Sequence, residues 1–452
     1  MAVNSEPINQ PKLFHSLRAE DEPWLAEIYI YPAGFELYSS PQSMIFFAPI
    51  GGGRTALRRM IRQHLEGQPV LVVNWQPEAP EQELQGNPLA SYAMRQLIHE
   101  WCQGILQFLG KHPERLSLAS PLALQGLAFL VHRFMTVNPQ FYLLSIAGSL
   151  PADGLAALQN VLNLPHIELL KPEADTRTSV QTLVSLLHNL GFKATWIFID
   201  GLEKWPEGLG ERSHQMLRAL LDTLAYLDIP GMLVKACVPS DYATLYTRLG
   251  GVDRFRLLPQ DLKWEKAELA EMVLRRAAKL SDRQDLSLAD ICTGAAWQVW
   301  LAKYGGDNPR AWLSLSKPFI EAWANHKTRL SKKKWQAISL QYPPKLRMDG
   351  DRQRVLVGEY EADVTPQDMS ILQYLYSRPG KVISREEIYY RGIYKLEEVP
   401  APKTKLYEDP TTWTGLFDTA LWRLRQAIEP IPGLPIYLVT VRGKGITLNN
   451  TM

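Results

Sequence analysis

Residues 48–60, APIGGGRTALRRM, place three consecutive glycines between a strand-like segment and a helix-like segment. The apolar run SMIFFAPI (43–50) before the glycines has the length of a buried strand. After them, the apolar residues Leu57, Ile61 and Leu65 recur at four-residue steps, as they do on one face of a helix. The stretch therefore predicts a strand, a glycine turn and a helix in succession.

A glycine turn between a strand and a helix is a typical phosphate-binding loop. Its backbone N–H groups turn inward without Cβ clashes, and the dipole of the following helix favours an anion. The common pattern is Gly, four residues, Gly, Lys, then Ser or Thr. Gly53 and Thr55 match this pattern, whereas Ala48 and Arg54 depart from it. A plain glycine turn explains the same letters. The candidate nucleotide-binding residues are Gly51, Gly52, Gly53, Arg54 and Thr55.

A second motif, WIFIDGLEKW (196–205), is an apolar strand that ends in an acid. We expect this strand beside the strand of the glycine loop, where Asp200 together with Thr55 would bind Mg²⁺. Glu203 would orient or deprotonate an attacking water. A solvated acidic turn is the alternative interpretation.

A third motif, GGDNPRAWLSL (305–315), predicts a helix that begins at Pro309 and Arg310, with Asn308 as its cap. An arginine at this helix start would reach back to a γ-phosphate. The alternative is a capped helix with a surface arginine.

The remaining sequence predicts an α/β protein of several parts. Strands alternate with helices over 41–260, which favours a parallel sheet covered on both faces. The predicted divisions are an N-terminal extension (1–40), an α/β core (41–260), a helical lid (261–325), a basic linker (326–345) and a compact domain (346–452).

The last of these parts carries a helix and a hairpin. The segment WTGLFDTALWRLRQAIEP places a stripe of four apolar residues on one face of a helix, which predicts a buried face: Phe417, Leu421, Leu424 and Ile428. Polar residues and one tryptophan occupy the other face and its flank: Thr419, Trp422, Arg423, Gln426 and Arg425. The segment IYLVTVRGKGITLNN predicts two strands joined by a tip that carries Arg442 and Lys444.

These motifs carry two resemblances. The ordered set GGGRT, FIDGLEKW, KACVP and GDNPRAW resembles AAA+ and STAND-type P-loop ATPases over about residues 40–325. This resemblance implies that Asp200 and Glu203 are the Walker B acids and that Arg310 is a sensor-2 arginine. The segments VTPQDMSILQYLYSRPGKVISREEI, DTALWRLRQAIEP and YLVTVRGKGITL resemble the winged-helix domain of OmpR/PhoB-type response regulators.

The winged-helix resemblance implies a DNA-binding surface. In that family the last helix enters the major groove and the wing reaches the minor groove. The matching helix residues are Thr419, Trp422, Arg423 and Arg425, and the matching wing residues are Arg442 and Lys444. Trp422 is bulky for a groove, the loop before the helix is long and partly acidic, and the charge of the domain is nearly balanced. A protein-docking winged helix therefore remains open.

Composition limits the class of protein. The chain has 452 residues and a formal net charge of +2, so nucleic-acid contacts must come from local clusters. Three separated cysteines and a start without a secretory signal indicate a cytoplasmic protein. No apolar stretch reaches the roughly 20 residues that cross a bilayer, so no membrane partner is expected.

Together these patterns predict an ATPase-like, DNA-binding regulatory protein that uses ATP and Mg²⁺ and acts in transcription, transposition or defence. We expect double-stranded DNA as one partner, and a protein partner or self-association as well. Arg54 in place of lysine argues against efficient hydrolysis, because a planar guanidinium does not fit the slot of a compact ammonium. The alternative is a catalytically silent adaptor whose winged helix docks onto protein.

Overall fold

The computed structural model describes residues 17–449, apart from 83, 166, 168, 171–174, 206–209, 227–228, 282, 284, 327 and 350–352. The first part of the predicted N-terminal extension, residues 1–16, lies outside the described residues. None of the described helices is long and apolar enough to cross a bilayer.

The strands fall into one five-stranded sheet, one three-stranded sheet and one two-stranded hairpin. In chain order they are β1 (Met44–Ala48), β2 (Val70–Trp75), β3 (Ala194–Ile199), β4 (Met232–Pro239), β5 (Leu258–Asp261), β6 (Leu346–Asp349), β7 (Arg354–Val357), β8 (Tyr360–Ala362), β9 (Leu438–Val441) and β10 (Gly445–Leu448).

The helices lie between and after these strands. The α-helices are α1 (Leu25–Ile28), α2 (Phe35–Tyr38), α3 (Arg54–His64), α4 (Gly86–Lys111), α5 (Glu114–Leu118), α6 (Pro121–Phe134), α7 (Pro139–Ile146), α8 (Ala152–Leu162), α9 (Thr176–Asn189), α10 (Glu211–Tyr226), α11 (Ala243–Arg248), α12 (Gly251–Phe255), α13 (Lys266–Ser281), α14 (Leu288–Ile291), α15 (Ala295–Gly305), α16 (Pro309–His326), α17 (Lys332–Gln341), α18 (Pro366–Tyr376), α19 (Arg385–Glu387) and α20 (Pro410–Ile428). Short 3₁₀ turns cover Ala19–Asp21, Ala147–Ser149, Leu202–Lys204 and Ser240–Tyr242, and a π-helical turn covers Ile388–Ile393.

The chain divides into two compact units. The sheet unit is Tyr31–Lys263, and the winged unit comprises Met1–Ile30 together with Trp264–Met452. This division places the α/β core by itself, while the helices of the predicted lid share a unit with the C-terminal domain. The predicted linker contains α17, in which Trp335 is buried. The finer boundaries stay predictions.

The sheet unit is a P-loop NTPase fold. Its five strands are parallel in the order β2-β3-β4-β1-β5. All residues of β1 and nearly all of β3 are buried, as expected for a sheet covered on both faces. The expectation that β3 lies beside β1 was wrong, because β4 pairs with both and separates them. The carboxyl ends of β1 and β3 still reach the same edge of the sheet.

The end of the winged unit is a winged-helix fold. The antiparallel sheet β6-β7-β8 precedes α18, α19 and α20, and the hairpin β9-β10 follows them. The predicted apolar stripe of α20 is buried: Phe417, Leu421, Leu424 and Ile428. An antiparallel bridge from Ile383 to Ile446 ties the hairpin to the segment before α19. The predicted fold class is confirmed in both parts.

Candidate functional site

The glycine loop after β1 is a tight turn that depends on its glycines. Gly51 and Gly53 have φ values of 88° and 91°, a region that side chains disfavour. The Gly52 N–H donates to the Pro49 carbonyl at 2.8 Å. A Cβ on Gly52 would lie 2.9 Å from both Pro49 O and Ala48 Cβ. The loop therefore has no room for side chains where the motif has glycine.

Helix α3 points its amino end at this loop. The helix begins at Arg54, and no side chain caps its first turn. The Leu57 N–H makes the first bond of the helix, to the Gly53 carbonyl. The N–H groups ahead of Leu57 have no carbonyl partner within the helix, and the helix dipole is positive at this end. The start of α3 is therefore suited to an anion.

Thr55 and Asp200 come together at the edge of the sheet, as the sequence predicts. Asp200 follows β3 directly, and its Oδ2 accepts a hydrogen bond from the Thr55 hydroxyl at 3.1 Å. The Asp200 side chain is only 2% exposed. Two motifs that are 145 positions apart in the chain therefore form one site.

Glu203 reaches the same place through a short turn. Gly201 has φ 93°, and Leu202–Lys204 form a single 3₁₀ turn that brings Glu203 back toward the loop. There the Arg54 Nη2 donates to Glu203 Oε1 at 2.6 Å. Arg54 is 5% exposed and the Glu203 side chain 14%. The guanidinium thus points at the predicted catalytic acid, and the two charges neutralise each other.

Arg58 is a member of the site that sequence reasoning missed. Its Nη1 lies 3.6 Å from Asp200 Oδ2, and the residue is 8% exposed. Arg58 follows Arg54 by four positions, so both arginines lie on one face of α3. The spacing of four residues between two arginines, directly after the glycines, could have indicated in the sequence that Arg58 belongs to the site. Two buried arginines therefore face two acids.

The site keeps polar atoms without hydrogen-bond partners among the described residues. Arg54 Nη1, Arg58 Nη1 and Glu203 Oε2 are buried and make no hydrogen bond there.

Cys237 on β4 lies close enough to the site for the charges of its acids and arginines to affect the pKa of the thiol. Burial raises the pKa of its thiol to about 12, and the Asp200 charge acts in the same direction. Cys237 is therefore a neutral thiol at physiological pH.

Arg310 belongs to the winged unit, whereas the glycine loop belongs to the sheet unit. Asn308 Oδ1 accepts from the Arg310 N–H at 3.1 Å, so the predicted cap of α16 is present. The Arg310 side chain is exposed. Its sensor-2 role stays a prediction.

Arg423, the predicted base-reading residue, is engaged inside the winged-helix fold. Its Nε and Nη2 each donate to one carboxylate oxygen of Asp368 at 2.7 Å. Asp368 lies in the first turn of α18 and is 1% exposed. This two-point pair raises the pKa of Arg423 and fixes α20 against α18.

Arg423→Ala is expected to lower the free energy of unfolding by about 2 kcal/mol, because it leaves the buried Asp368 carboxylate without its partner. Denaturant unfolding of the full chain, followed by tryptophan fluorescence, measures this decrease. Arg385→Ala is the matched control. Its pair with Asp418 is exposed, so we expect a change below about 1 kcal/mol. Wild-type stability of Arg423→Ala would show that the arginine is free for a ligand.

Arg425, the second predicted helix contact, joins α20 to the wing. Its Nε and Nη2 donate to the Leu438 carbonyl at 3.1 and 2.8 Å, and Nη2 also donates to Thr440 Oγ1 at 2.7 Å. Both arginines of α20 therefore make structural contacts within the domain.

The solvent-exposed surface of the winged helix carries the remaining candidates. Arg442 and Lys444 are exposed at the hairpin tip. On α20, Thr419 and Gln426 are exposed, and Trp422 is 63% exposed. The Thr419 hydroxyl donates to the Gly415 carbonyl of its own helix. The exposed basic candidates therefore lie on the wing, whereas the candidates exposed on α20 are uncharged.

Strand order and the helix-and-hairpin arrangement decide the architecture. The chain joins a P-loop NTPase fold to a winged-helix fold. No family model matches the chain. The chain is similar to the sensory transduction protein RegX3 of Mycobacterium leprae, with 32% identity over 105 residues, which are 23% of this chain and 46% of RegX3. The chain thus spans less than half the length of this curated relative.

One solved structure is similar to part of the chain, and another is similar to most of it. The Klebsiella pneumoniae RstA DNA-binding domain, solved in complex with the RstA box, is 20% identical, with a TM-score of 0.18 over 23% of this chain and 89% of that chain. The Aeropyrum pernix ORC1 protein, solved in complex with DNA, is 12% identical, with a TM-score of 0.36 over 94% of this chain and 92% of that chain.

Proposed function

We propose that this chain is a nucleotide-responsive DNA-binding regulator, in which the P-loop unit binds ATP and the winged helix binds duplex DNA. Nucleotide binding is supported by one observation. Four candidate residues meet at one edge of the parallel sheet: Arg54, Thr55, Asp200 and Glu203. Binding of ATP would change the arrangement or self-association of the chain, and the winged helix would respond. Such a regulator would serve transcription, transposition or defence.

Nucleotide binding rather than rapid turnover is the role that fits the site. Glu203, the residue expected to activate water, is paired with Arg54 at 2.6 Å. One of the two carboxylate oxygens that could accept a hydrogen bond from an attacking water already accepts one from Arg54. Backbone N–H groups of the loop and the start of α3 do not depend on that pair. ATP therefore acts as a signal in this proposal.

DNA binding is supported by the wing and by the resemblance of the C-terminal segments to the winged-helix domain of OmpR/PhoB-type regulators. Arg442 and Lys444 are exposed at a hairpin tip, where positive side chains contact phosphates or enter the minor groove. Arg423 and Arg425 hold the fold of the domain, so the contacts of α20 would come from Thr419, Trp422 and Gln426. Affinity would then depend more on the wing than on the helix.

Replacing Arg442 and Lys444 together with alanine is expected to weaken duplex binding and to lower the salt slope by about two, because two phosphates would no longer be neutralised. Fluorescence anisotropy of the full chain with random-sequence duplex DNA, measured over a series of KCl concentrations, gives both quantities. Lys111→Ala with Lys193→Ala is the control, because both lysines are exposed on the sheet unit. An unchanged slope in the wing variant would contradict DNA binding through the wing.

A protein-docking role is the second candidate, because α20 exposes apolar side chains. Leu416 is 68% exposed and Trp422 63%. Exposed tryptophan is enriched where proteins bind one another. If Trp422→Ala and the wing variant both leave DNA affinity unchanged, DNA binding through the winged helix is contradicted and the docking role is favoured.

A further inference from the structure

The fold family implies a Mg²⁺ ion at Thr55 and Asp200, and these residues do not fit one. Asp200 Oδ2 already accepts a hydrogen bond from the Thr55 hydroxyl at 3.1 Å. The same oxygen has the Arg58 guanidinium 3.6 Å away, and both Arg58 and Asp200 are at least nine-tenths buried. Mg²⁺ prefers free carboxylate oxygens in an octahedral shell. A second cation beside Arg58 would also be repelled.

The same residues fit an anion. Arg54 Nη1 and Arg58 Nη1 are buried with no hydrogen-bond partner among the described residues. Such unsatisfied donors are costly, and a ligand oxygen would satisfy them. They lie on the helix whose uncapped amino end follows the glycine loop. Guanidinium groups bind phosphate oxygens through two parallel N–H donors.

We propose that this site binds the polyphosphate chain of a nucleotide without Mg²⁺ held by the protein, with the Arg58 guanidinium in place of the metal. The inference deepens the proposed nucleotide binding and rests on it. The Arg58 guanidinium neutralises the Asp200 carboxylate, which would otherwise attract a metal ion. It also provides, from the protein itself, the positive charge that the phosphates need. Arg54 supplies the second guanidinium through Nη1, while Nη2 keeps its hydrogen bond to Glu203.

Calorimetric titration of the full chain with ATP, in buffer containing Mg²⁺ and in buffer containing EDTA, tests this proposal. We expect the two dissociation constants of the wild-type chain to agree within about threefold, because no ligand of the protein depends on the metal. Arg58→Ala is expected to weaken binding in EDTA by about tenfold or more and to restore part of the affinity when Mg²⁺ is added. Arg58→Lys, which keeps the charge, is expected to lie between them.

Arg62→Ala is the matched control, since Arg62 is on the same helix and exposed. We expect it to behave as the wild type does in both buffers. Wild-type binding that appears only with Mg²⁺ would overturn this inference and leave nucleotide binding in place. Failure to bind ATP in either buffer would overturn the proposed nucleotide binding, and this inference with it.

Discussion

Asp200→Ala is expected to lower the free energy of unfolding of the sheet unit by about 3 kcal/mol, because it leaves the buried Arg58 guanidinium without its counter-charge. Thr55 also loses the oxygen to which its hydroxyl donates. An acid that served only a bound metal would behave differently, since its removal would relieve a buried negative charge. The stability of this variant therefore separates an acid paired with arginine from an acid kept for a metal.

Denaturant unfolding of the full chain, with fluorescence and circular dichroism recorded in parallel, measures the decrease in stability. Asp222→Ala is the control, because the Asp222 pair with Arg254 is 37% and 52% exposed. For such a surface pair we expect a decrease below about 1 kcal/mol. Equal decreases in the two variants would contradict the structural pairing of Asp200 with Arg58.

Gly445→Ala is expected to destabilise the winged helix by about 3 kcal/mol and to release the wing, because the backbone passes too close to Gly445 for a side chain. A Cβ there would lie 2.0 Å from the Ile383 carbonyl oxygen. Ile383 and Ile446 exchange two backbone hydrogen bonds at 2.9 and 2.8 Å, and both would be strained. Gly445 also has φ 149°, which an alanine rarely adopts.

Hydrogen exchange at the Ile446 amide reports this change directly, and anisotropy with duplex DNA reports its consequence. We expect protection of that amide to fall and DNA affinity to fall with it, since Arg442 and Lys444 lie on the released hairpin. Gly433→Ala is the control, because no atom lies within 4 Å of the Cβ it would add. Normal protection in Gly445→Ala would mean that the hairpin does not depend on this close approach.

Local patterns in the sequence predicted much of the fold. The apolar run before the glycines, the four-residue steps of α3 and the stripe of α20 each follow from the periodicity of one element. The juxtaposition of Thr55 with Asp200 was also predictable, because carboxyl ends of parallel strands meet at one edge of a sheet. The position of β4 between β1 and β3 was not predictable. Strand order depends on how whole strands pack together, and the residues of a single strand do not specify it.

The roles of the arginines could not be predicted from their own segments. On α20, Arg423 belongs to the polar face, which is why the sequence placed it against DNA. Its partner Asp368 is 55 positions earlier in the chain, and only tertiary packing brings the two together. Arg58 was missed for the same reason, since a charged residue on an amphipathic helix is normally a solvated one. In this protein Arg58 is buried and forms an ion pair with Asp200.

In the proposed function, each of the two units supplies one half of a regulatory mechanism. The P-loop unit has the strand, glycine loop and helix of a nucleotide site, but Arg54 and Arg58 form ion pairs with its two acids, Glu203 and Asp200. In the proposed function, such a site holds ATP and hydrolyses it poorly. The winged helix keeps exposed positive groups on its hairpin tip. In the proposed mechanism, ATP binding in one unit is the input, and DNA affinity in the other is the output.

The affinity of the full chain for duplex DNA, measured with and without saturating ATP, tests this mechanism most directly. We expect ATP to change the dissociation constant by about fivefold or more, the usual size of coupling between two linked sites. Identical dissociation constants, in a sample shown by calorimetry to be saturated with ATP, would contradict the claim that the nucleotide site controls the winged helix.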